Sequence, residues 1–190
     1  MKEDQVHKII AEVISGNTQA FAQLVNEYKQ MVYSLCIKMT HNTEDAEEIA
    51  QDSFVKAYKN IKQFKGKSKF STWLYQITYF TAINVLRKKN PEVDDIYTDS
   101  ENEVSYSVPD QLEHEDKQKL INNALQFLNP KERAVINLFY LQELDMLEVA
   151  EITKMSLSNV KVSVHRSRKK LYMIMNKLLK NELNSIIHES

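Results

Sequence analysis

The chain has 190 residues, a net charge of −1 and 43% apolar content, which suits one medium domain or two small ones in water. A single cysteine, Cys36, excludes an intrachain disulfide, and no apolar run reaches the roughly 20 residues that cross a bilayer. With only two Gly and three Pro, tight hairpins are scarce, and the expected fold class is all-α, built from long helices and few loops. The opening MKEDQVHKII lacks the apolar centre of a signal peptide, so a cytoplasmic protein with no membrane insertion is expected.

The first clear helix carries Phe21, Leu24, Val25, Tyr28, Val32, Leu35, Cys36 and Met39 at three- and four-residue steps. On that stripe Cys36 reads as a small buried hydrophobe. A break at His41-Asn42-Thr43 follows, with Thr43 the expected N-cap and Glu44 and Asp45 well placed in the first turn. The second helix sets Ala46, Ile49, Ala50, Phe54, Ala57, Tyr58 and Ile61 on one side. A loop from Phe64 to Lys69 precedes a third helix, expected to be capped by Ser71 or Thr72 and to run to about Lys89. These elements make a helical domain over residues 1–90. The role of residues 1–16 is not legible in the pattern.

Residues 91–114 combine weak periodicity, two prolines and many acids, and read as a flexible acidic linker. A second helical domain, 115–190, begins with Leu120, Ala124, Leu125 and Leu128. Pro130 then stands where a first helical turn tolerates it, before a helix through Ala134, Val135, Leu138 and Phe139.

Asp145-Met-Leu-Glu148 has the form of a capping box that opens a short helix, Leu147 to Thr153, with Val149, Ala150 and Ile152 on its apolar side. After Lys154-Met155, Ser156 can cap a longer helix whose Val160, Val164 and Leu171 face inward. A short helix, a tight turn and a long basic helix are the parts of a helix-turn-helix, whose second helix enters the major groove. Ser156, Ser158, Asn159, Lys161, Ser163, His165, Arg166 and Lys169 are then the expected duplex-DNA contacts. Hydroxyls and amides near the start would read base edges, and the cations further along would meet phosphates.

Charge is sorted along the chain. Residues 61–90 hold seven basic residues and no acid, residues 91–116 ten acids and no base, and residues 158–181 seven bases and no acid. Two cationic surfaces separated by an anionic strap point to two contacts with a polyanion. The first surface also carries Phe64, Phe70, Trp73, Tyr75, Tyr79 and Phe80. Cations that follow a backbone and rings that stack on bases are what a single strand requires. Phe70, Trp73, Leu74, Ile77 and Thr81 lie at helical spacing and read as core, whereas Phe64, Ser68, Lys69, Tyr75, Tyr79 and Phe80 read as the better DNA candidates.

The segments LNPKERAVINLFYLQEL and VAEITKMSLSNVKVSVHRSRKKL are similar to the promoter-binding C-terminal domain of bacterial sigma factors of the extracytoplasmic-function class. DAEEIAQDSFVKAY and FKGKSKFSTWLYQI resemble the other half of that family, in the same order. The resemblance implies a promoter-specificity subunit of RNA polymerase that recognises −35 duplex DNA and captures the −10 element as it melts. The −10 contacts it implies are Phe64, Lys65, Lys67, Ser68, Lys69, Thr72, Trp73, Tyr75, Gln76, Tyr79, Phe80 and Arg87. Asp45, Glu48, Gln51 and Asp52 would dock on core polymerase, and apolar residues from Leu138 to Leu141 would pack on its flap. The acidic strap would thread the RNA exit path, and an anti-sigma factor would be a further partner. The sequence departs from the family pattern at Phe80 and Asn84, where Asn and Asp are common, at Lys154 in place of the turn glycine, and at Ser163 in place of a frequent Arg. No cofactor, metal or catalytic residue is expected: there is no Gly-rich phosphate loop, and His7, His41, His114, His165 and His188 are scattered without ligand spacing. A helix-turn-helix activator or repressor, acting without being a polymerase subunit, is the alternative that shares the same reader.

Overall fold

A computed structural model of the chain describes residues 1–89 and 114–188, with side chains for 1–89 and 119–180; among the described residues every regular element is helical. The expected linker lies outside the described residues except for His114. Helix α1 spans Glu3–Ile14 and buries Val6, Ile9, Ile10 and Val13. Residues 1–16 thus pack on the first domain, where the His7 ring stacks 6.0 Å from that of Phe64 and the chain's amino terminus pairs with Glu27.

Helix α2 (Phe21–Thr40) buries Leu24, Val32, Leu35, Cys36 and Met39 as its periodicity requires, and ends on His41 in the left-handed region. Burial pushes the Cys36 thiol up to about 12, so it is an inert packing group. Helix α3 (Thr43–Asn60) is capped by Asn42, whose side-chain oxygen accepts from the Asp45 N–H at 2.9 Å; Thr43 is the first helical residue instead of the cap. Helix α4 (Phe70–Lys89) starts one residue before the expected cap. The fully buried Phe70 anchors its first turn, the Trp73 N–H bonds to the Lys69 carbonyl, and Ser71 and Thr72 fall inside the helix.

In the second half α5 (His114–Leu125) packs on the distal part of α8 (Leu157–His188) through Leu120, Ala124 and Met175. Helix α6 (Pro130–Ile136) opens with a capping box of Asn129 and Glu132 and carries Pro130 in its first turn. A π-helical turn, Asn137–Leu141, continues it. Helix α7 (Met146–Thr153) has the expected box, with Asp145 accepting from the Leu147 and Glu148 N–H groups and Glu148 reaching back.

The two halves pack on one another. One apolar cluster joins Phe70, Leu74, Tyr75 and Ala82 to Ala134, Val135, Leu138, Val149, Ile152 and Val160, with α7 laid on α4 and α6 on α2. The physical reason is surface-to-volume: a helical unit of this size cannot bury all its apolar faces within itself, and each half supplies the other's missing cover. Polar contacts edge the seam. The Tyr75 hydroxyl donates to Gln142 Oε1 at 2.6 Å, and Lys38 Nζ donates to Asn122 Oδ1 at 2.6 Å.

Candidate nucleic-acid interface

The helix-turn-helix is built as its sequence dictates. Lys154 ends α7 at φ 58°, the left-handed conformation for which glycine is the usual residue. The Ser156 hydroxyl accepts from the Asn159 N–H at 3.1 Å and starts α8. Val160 and Val164 are buried on its inner face, while Ser156, Ser158, Asn159, Lys161 and His165 are exposed and Arg166 and Lys169 half-buried. Ser163 departs from expectation: it is 8% exposed. It lies three residues after Val160 and four before the buried Ser167, on the stripe that faces the domain, so it is not a base contact. An Arg at that inward position would have to bring its charge into the interior of the second half or distort the helix.

The candidate −10 surface is divided. Lys65, Lys67, Lys69, Phe80 and Arg87 are exposed, and Ser68, Gln76 and Trp73 half-buried. Thr72, Tyr75 and Tyr79 are buried, at 3%, 3% and 4% exposure. Tyr75 turns into the seam, where burial pushes its phenol well above the usual range. Phe64 is not a free ring either, since it packs against Phe70 and Trp73 at 5.5 and 5.4 Å as well as His7. Of the rings favoured as DNA contacts, only Phe80 stands exposed. Among those read as core, Phe70, Leu74 and Thr81 are buried, and Trp73 and Ile77 are half-buried.

Between the Gly66–Lys69 loop and α7 lies a cavity of about 440 Å³ lined by Glu3, His7, Lys67, Ser68, Lys69, Thr72, Glu148 and Glu151. Lys69 Nζ pairs with Glu148 Oε1 at 2.9 Å, and that carboxylate, with Asp145 and Glu3 adding to it, raises the lysine's pKa. Sequence reasoning missed Glu3, His7, Gln142, Glu148 and Glu151 here, because each sits near this surface only through tertiary packing.

On α3, Glu48, Gln51 and Asp52 are exposed, and Asp45 is held by Lys89. Beside them a groove of about 350 Å³ between α2 and α3 is walled by Val25, Tyr33, Ala50 and Phe54, with Lys29, Gln30, Glu47 and Gln51 at its edges. Gln51 is the member of the predicted polymerase-binding set that lines it. Val25 had read as core from its spacing, and its partial exposure is set by how α3 crosses α2. Beyond α6, Leu138 is fully buried and belongs to the core, whereas Tyr140 and Leu141 are exposed.

Among the described residues no group of three or more His, Cys, Asp or Glu side chains could hold a metal, and no helix is long and apolar enough to cross a membrane. A capped helix-turn-helix with an open basic helix, joined to a second helical unit with a cationic aromatic loop, defines a DNA-binding protein of two helical units. Residues 24–92 match the family model for sigma-70 region 2, and residues 118–171 that for sigma-70, region 4. The chain is 37% identical over 182 residues to the ECF RNA polymerase sigma factor SigW of Bacillus subtilis, covering 89% of this chain and 96% of that one. It is 30% identical to the ECF RNA polymerase sigma-E factor of Haemophilus influenzae over 183 residues, covering 90% and 93%. Among solved structures the fold is similar to that of CnrH in complex with the cytosolic domain of CnrY, with a TM-score of 0.65, 21% identity and coverage of 89% and 96%. It is similar also to the sigma factor RpoE in complex with the anti-sigma factor NepR from Bartonella quintana, with a TM-score of 0.62, 21% identity and coverage of 82% and 96%. The chain belongs to the extracytoplasmic-function class of the sigma-70 family, the non-catalytic promoter-specificity subunits of bacterial RNA polymerase.

Proposed function

We propose that this sigma factor reads a promoter with two surfaces of different chemistry, one for duplex and one for single-stranded DNA. The open N-terminal face of α8 carries the reading. Ser156, Ser158, Asn159, Lys161, His165, Arg166 and Lys169 enter the major groove of the −35 element, with hydroxyl and amide groups on base edges and cations on phosphates. Residues 1–90 supply the −10 surface: Lys65, Lys67, Ser68 and Lys69 follow the backbone of the non-template strand, and Phe80 with Trp73 offers stacking faces to its bases.

Core polymerase docks on Glu48, Gln51 and Asp52 and in the neighbouring groove between α2 and α3, where a half-apolar floor with charged edges suits a helical partner. Tyr140 and Leu141 are the exposed apolar pair for a contact with the flap. The acidic residues 91–114 serve as the linker expected to thread the RNA exit path. The protein works in the cytoplasm and is held in check by an anti-sigma factor, a reading supported by the fold shared with sigma factors in such complexes.

The decisive test is reconstitution. Purified chain and core polymerase together should give a run-off transcript from a promoter found by sequencing the transcripts induced with the protein, and neither component alone should do so. A nanomolar, sequence-specific footprint on duplex DNA by the chain without polymerase would instead establish a helix-turn-helix activator or repressor.

A further inference from the structure

We infer that Val162 is a specificity-determining residue: it reads the methyl group of one thymine in the −35 element, so the recognised sequence carries a T·A pair at a fixed place under α8. This rests on the reading of α8 as the duplex-DNA helix and adds to it the base that one further side chain selects.

Three observations carry the inference. First, Val162 lies on the open side of α8. Two residues turn a helix by about 200°; accordingly Val160 and Val164 are 0% and 4% exposed, whereas Val162 between them is 42% exposed. Second, its neighbours are the reading residues. Ser158 and Asn159 stand one turn before it and His165 and Arg166 one turn after, and residues three and four apart share a helix face. A single exposed valine is ordinary on a protein surface. One enclosed by hydroxyl, amide, imidazole and guanidinium groups is an apolar spot in the middle of a polar reader. Third, the residue does nothing for the fold. Among the described residues it belongs to none of the apolar clusters that hold the halves together, and a β-branched side chain is a weaker helix former than alanine.

The chemistry of the groove then names the target. Base edges there present hydrogen-bonding groups, and the apolar group among them is the thymine methyl. A valine over that methyl takes both out of water. Over another base it would cover a donor or acceptor without pairing it, which costs free energy. In a helix valine keeps one strongly preferred rotamer, so the contact forms with little loss of side-chain freedom.

The test measures holoenzyme binding to promoter DNA in which each thymine of the −35 element, on either strand, is replaced in turn by uracil. Uracil lacks the methyl and keeps every hydrogen-bonding group. One replacement should weaken wild-type binding by about five-fold, the size expected for one buried methyl, and the others by less than about two-fold. Val162→Ala should bind the unmodified promoter about five-fold more weakly and be indifferent to uracil at that same position. Its helix content and thermal melting, followed by circular dichroism, should match wild type, because the position is exposed and alanine favours a helix. A −35 element without thymine, a series in which no uracil weakens wild-type binding, or a uracil effect that Val162→Ala retains in full would each overturn the inference. Arg166→Glu with Lys169→Glu keeps the two ideas apart. If that charge reversal abolishes promoter binding while the uracil series is flat, α8 remains the duplex reader and only the methyl contact falls. Binding that survives the reversal removes α8 from the duplex and the inference with it.

Discussion

Helices α4 and α8 are both basic and both read as DNA contacts, yet the fold treats them in opposite ways. In α8 one stripe, Val160, Ser163, Val164 and Ser167, is buried, while Ser156, Ser158, Asn159, Lys161 and His165 are exposed and Arg166 and Lys169 half-buried. In α4 the buried residues, Phe70, Thr72, Leu74, Tyr75, Thr78, Tyr79, Thr81 and Ala82, run round most of the helix. The cause is what each packs against: α8 uses one face within its own half, while α4 meets α2 and α3 on one side and α7 on another. A DNA-reading helix with one partner layer can be recognised from its pattern. One lying in a seam cannot.

The largest expected effect sharpens that contrast on the open side. Arg166→Glu with Lys169→Glu places two anions on the duplex face and should weaken holoenzyme binding to promoter DNA by about 1000-fold, largely independent of base sequence. A footprint that survives would remove α8 from the interface. On the covered side, Ile152→Ala opens a cavity at the seam and should cost about 3 kcal/mol in urea unfolding. A loss below about 1 kcal/mol would mean that the halves do not share a core.

The two rings of the first half separate next. Phe64→Ala should lose about 2 kcal/mol, because the ring packs among Phe70, Trp73 and His7. Phe80→Ala should stay within about 0.5 kcal/mol of wild type while slowing open-complex formation in a stopped-flow melting assay. If Phe64→Ala were neutral for stability and slow in melting, that ring would return to the DNA surface. Lys154→Gly relieves a left-handed lysine and should stabilise the chain by about 1 kcal/mol in thermal unfolding. A loss would show that the turn prefers its side chain.

The smallest signal is spectroscopic and tests the seam directly. Burial holds the Tyr75 phenol above its ordinary value. The folded chain is therefore favoured at no cost below about pH 10, and its stability weakens as pH rises past that point, where unfolded chains lose the proton that folded chains keep. The phenolate absorbance lost in Tyr75→Phe should belong to the late part of the wild-type titration, above the bulk of the other tyrosines. Absorbance lost instead near about pH 10 would place Tyr75 outside the seam.

Residue by residue, legibility followed locality. The Asp145–Glu148 box, Ser156 at the head of α8, Pro130 in the first turn of α6 and the burial of Cys36 were all readable, since each depends on partners within about one helical turn or on a strong local stripe. Asn42 took the cap expected of Thr43 by the same local chemistry, one residue earlier. Ser163 was misread because a serine carries no periodic signal: its small side chain suits either face, and only its place on the buried stripe decides.

The order of the chain determined an all-helical protein with a helix-turn-helix at its end, because caps, periodicity and sorted charge act over a few residues. Tertiary structure alone decided that Tyr75 and Thr72 are covered, that α1 packs its His7 on Phe64, and that Glu148 faces Lys69 across 79 positions. Those contacts form only when two apolar faces, each too broad to be buried in its own half, find one another, and no local pattern records which face will meet which.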